Sequence, residues 1–165
     1  MEKILVSGCL IGQKVRYHGG DALFDHPIFE KWIFEKRIIA TCPEVSANLT
    51  TPRPSSEIIG GNGVHVLHGI AKVFTHTGID RTNEFIQGAN NALSVAKKHN
   101  IKMAILKKNS PSCGNKSIYD GTYSSNIIAG IGVTAALLEK NGIAIFNEDE
   151  IILADDYLNK LENNQ

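Results

Sequence analysis

The chain has 165 residues, of which 42% are hydrophobic and 21% charged, and this composition is that of an ordinary globular protein rather than a disordered one. Its length predicts one domain, residues 1–165, with enough chain to bury a core. Basic and acidic residues are equal at 17 each, so the zero net charge argues against non-specific nucleic-acid binding. We expect a cytoplasmic protein, because no signal peptide and no apolar run of roughly 20 residues is visible. A homo-oligomer is compatible with the sequence.

The first part of the chain predicts two strands on either side of a helix. Residues 3–6 contain the apolar run Ile4-Leu5-Val6 and precede Gly8, which is typical of a buried strand. Pro27 suits the first position of a helix over residues 27–36, where apolar side chains recur at helical spacing. Residues 37–41 then form a second β-branched run and predict the next strand.

The middle of the chain predicts a long loop and a β-hairpin. Residues 43–63 contain three of the five prolines and three glycines, and long loops in compact domains are usually functional or disordered. Two short runs, 64–66 and 71–75, flank a turn at His68 and Gly69. Their pattern predicts an antiparallel hairpin.

The rest of the chain alternates between helices and strands. Residues 80–99 and 134–140 predict helices, residues 102–106 and 143–146 predict strands, and a C-terminal helix is expected over about 148–161. Strands separated by helices predict an α/β fold, here a three-layer α/β/α sandwich with a mostly parallel sheet and an added hairpin.

The three cysteines each follow a predicted strand. Cys9 comes after the first strand, Cys42 after the second, and Cys113 lies in the loop that follows residues 102–106. Ligands of open α/β sheets bind beyond the carboxyl ends of the strands, so we expect the three thiols to meet at one edge of the sheet.

Three thiolates are soft ligands that favour zinc, Cu(I) or an iron–sulfur cluster. Structural zinc sites usually contain close pairs such as Cys-x-x-Cys, which this sequence lacks. A catalytic zinc ion held by all three cysteines and a water molecule stays open as an alternative.

Seven short motifs, in order, resemble the thiouracil desulfidase (TudS-like) family, which was long catalogued as a domain of unknown function. Each motif is weak alone, but the ordered set is specific and covers a core of about residues 3–146. The motifs are Ser7-Gly8-Cys9-Leu10-Ile11-Gly12, Val15-Arg16-Tyr17, Cys42-Pro43-Glu44-Val45, Thr51-Pro52-Arg53-Pro54, Ser110-Pro111-Ser112-Cys113-Gly114, Ile118-Tyr119-Asp120-Gly121-Thr122 and Gly132-Val133-Thr134-Ala135.

The resemblance implies a Rossmann-like fold, a [4Fe–4S] cluster, and non-redox removal of sulfur from thiolated pyrimidines such as 2- or 4-thiouracil or a related nucleoside. Cys9, Cys42 and Cys113 match the cluster ligands, Glu44 matches the catalytic acid/base, and Ser110 matches a serine at the reacting centre. With three cysteines the cluster keeps one iron without a protein ligand, and the sulfur of the substrate is expected to bind there.

Other side chains near the motifs are candidates for contact with the substrate: Arg16, Tyr17, Arg53 and Ser112. Two pairs, Ser46-Ala47 and Ser55-Ser56, depart from the family pattern and bear on the choice of substrate more than on the cluster. Gly130 and Gly132, which open a predicted helix, indicate either amides that face an anion or tight packing. The rival functions are a different cluster-dependent lyase or sulfur carrier, a non-catalytic sulfide- or metal-binding module, and a cysteine-ligated zinc protein.

Overall fold

A computed structural model describes residues 1–164. The helices and strands in chain order are β1 (Ile4–Ser7), α1 (Pro27–Phe34), β2 (Ile38–Thr41), α2 (Pro43–Ser46), β3 (Ser56–Ile59), α3 (Gly63–Leu67), β4 (Lys72–Thr75), α4 (Thr82–Lys98), β5 (Met103–Ile105), β6 (Ser117–Tyr119), β7 (Ile127–Ala129), α5 (Val133–Lys140), β8 (Ala144–Phe146) and α6 (Ile151–Asn163). Short 3₁₀ turns at Gly8–Ile11 and Glu148–Glu150 follow β1 and β8.

The central sheet has four strands in the order β2-β1-β5-β8, and every neighbouring pair is parallel. Ile4 pairs with Ile38 at one side, and Met103 pairs with Ala144 at the other. The predicted strands therefore form the predicted parallel sheet, within one or two residues of the expected bounds. Their carboxyl ends meet at one edge, where the loops that carry the cysteines begin.

Helices cover both faces of this sheet. On one face Ile4 and Val6 of β1 lie in a cluster with Phe29 and Trp32 of α1, to which α6 contributes Leu158. On the other face Leu5 of β1 and Ala104 of β5 lie in a cluster with residues of α4 and α5. Successive side chains of β1 thus point to opposite faces of the sheet and pack in two separate hydrophobic cores. The prediction of a three-layer α/β/α fold is confirmed.

The predicted hairpin is wrong in its first strand. Residues 64–66 lie in α3, because Asn62 caps that helix by accepting a hydrogen bond from Val64 N at 2.9 Å while the ring of His65 accepts one from Asn62 N at 3.0 Å. The antiparallel partner of β4 is β3, which lies inside the segment predicted to be a long loop. β3 is hard to recognise in the sequence because Glu57 places a charged residue in mid-strand. In the structure this buried carboxylate accepts a hydrogen bond from Gly121 N at 2.9 Å.

A second antiparallel pair, β6–β7, follows the Cys113 loop and was not predicted. The N-terminus of α5 packs directly on the Cys113 loop. The amides of Val133 and Thr134 donate to the carbonyls of Pro111 and Ser112, and a Cβ on Gly132 would lie 2.5 Å from the Ser112 carbonyl. Of the two interpretations of the glycine pair, tight packing is therefore the correct one at Gly132.

Within residues 1–164, no helix combines the length and apolar character that a bilayer crossing requires.

Candidate metal centre and active site

The three cysteines line one pocket of about 140 Å³ at the carboxyl edge of the sheet. Cys9 lies in the 3₁₀ turn after β1, Cys42 immediately precedes α2, and Cys113 follows β5 on its long loop. All three are free thiols, and Cys9 and Cys113 are only 7% and 6% exposed. The remaining predicted site residues line the same pocket: Arg16, Tyr17, Glu44, Arg53, Ser110 and Ser112.

Burial opposes ionisation of all three thiols. It raises the pKa of Cys9 to about 11, against the opposing influence of Arg16 and Lys107, and it raises the pKa of Cys113 to about 12. Burial also raises the pKa of Cys42, while the amides of Val45 and Glu44 donate to its sulfur and act in the other direction. The free protein therefore carries neutral thiols at neutral pH, and a metal that binds them must displace their protons.

The donors that this pocket offers to a metal are three thiol sulfurs. Among the residues that the structure describes, no three His, Cys, Asp or Glu side chains lie close enough to hold one metal ion together. The donor set of three soft sulfurs around one pocket thus fits a [4Fe–4S] cluster with three protein ligands.

Glu44 lies in the first turn of α2, two residues after Cys42, and its carboxylate faces Arg53. Arg53 Nε donates to Glu44 Oε2 at 2.7 Å, and the two side chains are only 8% and 17% exposed. Paired with a guanidinium, Glu44 is held in place as a hydrogen-bond acceptor.

Ser110 begins the turn that carries Cys113. Its hydroxyl oxygen accepts hydrogen bonds from the backbone amides of Ser112 and Cys113, both at 3.1 Å. The oxygen is therefore occupied as an acceptor, and its own proton is available for donation into the pocket.

The four candidates for substrate contact differ in their exposure and in their hydrogen-bond partners. Tyr17 is 43% exposed at the rim of the pocket. Arg16 has no side-chain hydrogen bond or ion pair within residues 1–164, and its charge acts on Cys9. Ser112 instead bonds its hydroxyl to Thr134 Oγ1 at 2.8 Å in the interior, and Arg53 is held by protein groups.

Two polar residues that bond to pocket residues were missed from the sequence: Ser7 lines the pocket itself, and Glu148 pairs with Lys107, which lines it. Glu148 is 8% exposed, pairs with Lys107 Nζ, and accepts a hydrogen bond from Lys108 N at 3.0 Å. Ser7 Oγ accepts a hydrogen bond from Lys107 N at 3.0 Å, and its hydroxyl bonds to Cys113. The position of Ser7 at the end of β1 was a usable signal, whereas Glu148 lies 41 residues from Lys107 and gave none.

Comparison with known proteins agrees with this geometry. The model of the 2-thiouracil desulfurase family matches residues 4–150. The chain belongs to the 2-thiouracil desulfurase family. YbbK, an uncharacterized protein of Bacillus subtilis (strain 168), is 45% identical to this family member over 148 residues, which is 90% of this chain and 97% of the relative.

A solved structure has the same fold. It is that of a [4Fe-4S]-dependent thiouracil desulfidase, TudS, which is 40% identical to this chain. The match has a TM-score of 0.86 and covers 95% of this chain and 99% of the other. The resemblance inferred from seven motifs is thereby confirmed, and so is an enzyme of the thiouracil desulfidase type.

Proposed function

We propose that this desulfurase family member hydrolyses the thiocarbonyl group of a thiolated pyrimidine, 2- or 4-thiouracil or a related nucleoside, with a [4Fe–4S] cluster held by Cys9, Cys42 and Cys113. The observation that carries the proposal is the convergence of all three cysteines on a pocket that also contains Glu44 and Ser110. The reaction consumes one water and exchanges C=S for C=O, so that uracil and hydrogen sulfide are formed with no net change in oxidation state.

When bound, the cluster supplies an iron without a cysteine ligand, which acts as a Lewis acid towards soft sulfur. Glu44 accepts one proton from the attacking water as the oxygen bonds to the ring carbon, and returns it to the departing sulfur when the C–S bond breaks. The second proton of the water leaves the new hydroxyl as the C=O bond forms and passes to the released sulfide, by way of Glu44 or solvent. Ser110, with its oxygen occupied by two amides, donates its hydroxyl hydrogen to the substrate or the water.

The surroundings of the pocket support a small substrate. Arg16 offers a cation without a protein partner in the described residues, and Tyr17 provides an aromatic wall at the rim. We further propose that residues 1–165 act as one domain in the cytoplasm, where reducing conditions keep the cysteines as thiols. The zero net charge favours a small-molecule partner over non-specific nucleic-acid binding.

The test is anaerobic reconstitution with iron and sulfide, followed by measurement of uracil and sulfide released from 2- and 4-thiouracil. The expected result is equal amounts of both products from at least one substrate. Glu44→Gln should retain the cluster absorbance and lose about 10²-fold or more in turnover. Unchanged turnover in this variant would overturn the role of Glu44, and binding of zinc but not iron would overturn the proposal in favour of a zinc protein.

A further inference from the structure

The guanidinium of Arg53 donates most of its hydrogen bonds to protein acceptors. Besides Glu44, its Nη1 donates to Thr50 O at 3.1 Å and to Thr51 Oγ1 at 3.0 Å, and its Nη2 donates to Val15 O at 2.8 Å. An arginine has five N–H donors, and these contacts use four of them. Only one N–H, on Nη2, has no acceptor among the described residues, so a two-bond contact with a substrate would require Arg53 to give up bonds that are already formed.

The four acceptors belong to three separate segments that meet at the pocket. Glu44 is on α2, Thr50 and Thr51 lie in the segment before β3, and Val15 lies in the loop after Cys9. The backbone amide of Arg53 adds a hydrogen bond to Tyr17 O at 2.8 Å. One side chain thus fastens the carboxylate to the loop that carries Arg16 and Tyr17.

We propose that Arg53 is a positioning residue, which fixes the orientation of Glu44 relative to the substrate pocket and does not itself bind the substrate. This inference rests on the proposed function for its kinetic consequence. It replaces the role in substrate contact that the sequence suggested for Arg53. The planar guanidinium group is essential for positioning Glu44, because a lysine offers one ammonium point charge and cannot hold acceptors on three segments at fixed angles.

The kinetic test compares Arg53→Lys, Arg53→Met and the double variant Arg53→Met/Glu44→Gln, each checked for iron content after reconstitution. Displacement of a catalytic group by about 1 Å costs about 10²-fold, so Arg53→Lys should lose about 10- to 100-fold in kcat with KM little changed. The double variant should be no slower than Glu44→Gln alone, since Arg53 acts through Glu44. A raised KM with unchanged kcat, or fully additive losses, would overturn the inference.

The control is Arg81→Met, which removes an arginine–glutamate pair at the start of α4, to Glu84 at 3.0 Å, whose side chains are both 31% exposed. This variant should keep both kinetic constants. An equal loss of kcat in Arg81→Met would assign the effect of Arg53 to general destabilisation and overturn its positioning role.

A second measurement does not depend on turnover. Hydrogen exchange of the reconstituted protein, followed by mass spectrometry, should show faster deuterium uptake in peptides covering residues 13–18 and 47–53 in Arg53→Lys but not in Arg81→Met. Unchanged deuterium uptake would show that the Arg53 side chain does not hold these segments together, and would overturn the inference. If the wild-type protein desulfurates no thiopyrimidine, the proposed function fails, and this exchange result still decides whether Arg53 ties the three segments together.

Discussion

Ser110 Oγ accepts a hydrogen bond from the backbone amide of Cys113 at 3.1 Å. The residue proposed to act in catalysis thus also shapes the turn that presents a proposed cluster ligand. The same oxygen accepts the amide of Ser112, so one hydroxyl organises the start of this loop.

Replacement of Ser110 should therefore affect both stability and turnover. Ser110→Ala leaves two amides without an acceptor and should cost about 1–3 kcal/mol of unfolding free energy, together with a large loss of kcat. Ser110→Thr keeps the oxygen and should recover most of the stability. Chemical denaturation and sulfide release measure the two effects, with the exposed Ser124→Ala as a control. Full activity in Ser110→Ala would exclude a catalytic role.

Each of the three cysteines should be required for iron binding. Cys9→Ala, Cys42→Ala and Cys113→Ala should each lower the iron bound after reconstitution, because a cluster with two protein ligands is poorly held. Met103→Leu, a volume-conserving change at another buried sulfur residue, should bind iron as the wild type does. Normal iron content in any one cysteine variant would remove that residue from the ligand set.

The ion pair between Lys107 and Glu148 should be important for stability. Lys107→Met leaves a buried carboxylate without its cation and should cost about 3 kcal/mol. Lys108→Met breaks the neighbouring pair with Asp149, whose side chains are 37% and 63% exposed, and should cost roughly 0–1 kcal/mol. Urea denaturation of both variants checks the contrast, and equal losses would contradict it.

The sequence predicted most of the central sheet and the meeting of the cysteines. Apolar runs such as residues 4–6 are buried on both faces of a parallel sheet, and each cysteine follows one of these runs. The sequence did not reveal β3, because Glu57 breaks the apolar pattern and its partner Gly121 is 64 residues away. The same limit hides the Lys107–Glu148 pair and the hydrogen bonds of the Arg53 guanidinium, since each set includes contacts between distant segments.

Glu162 should make stability depend on pH in the acidic range. The hydrogen bond from Arg37 is the main cause that lowers the pKa of Glu162 below its ordinary value of 4.5. A lowered folded-state pKa contributes stability that is present above 4.5 and is lost as the pH falls through the folded value. Glu162→Gln should therefore be less stable than the wild type at neutral pH, and the difference should shrink with acidification.

Thermal unfolding between neutral and acidic pH measures this difference. Asp156→Asn, an exposed change on the same helix, is the control and should follow the wild-type profile. A difference in stability between Glu162→Gln and the wild type that stays constant with pH would contradict this role of Glu162.

The most direct test of the three-cysteine cluster is Mössbauer spectroscopy of protein reconstituted with isotopically enriched iron, with and without 2-thiouracil. The expected spectrum contains one iron environment that differs from the other three and that changes when the substrate is added. Four irons that remain alike and unaffected by 2-thiouracil would contradict the claim that this family member binds its substrate at an iron without a cysteine ligand.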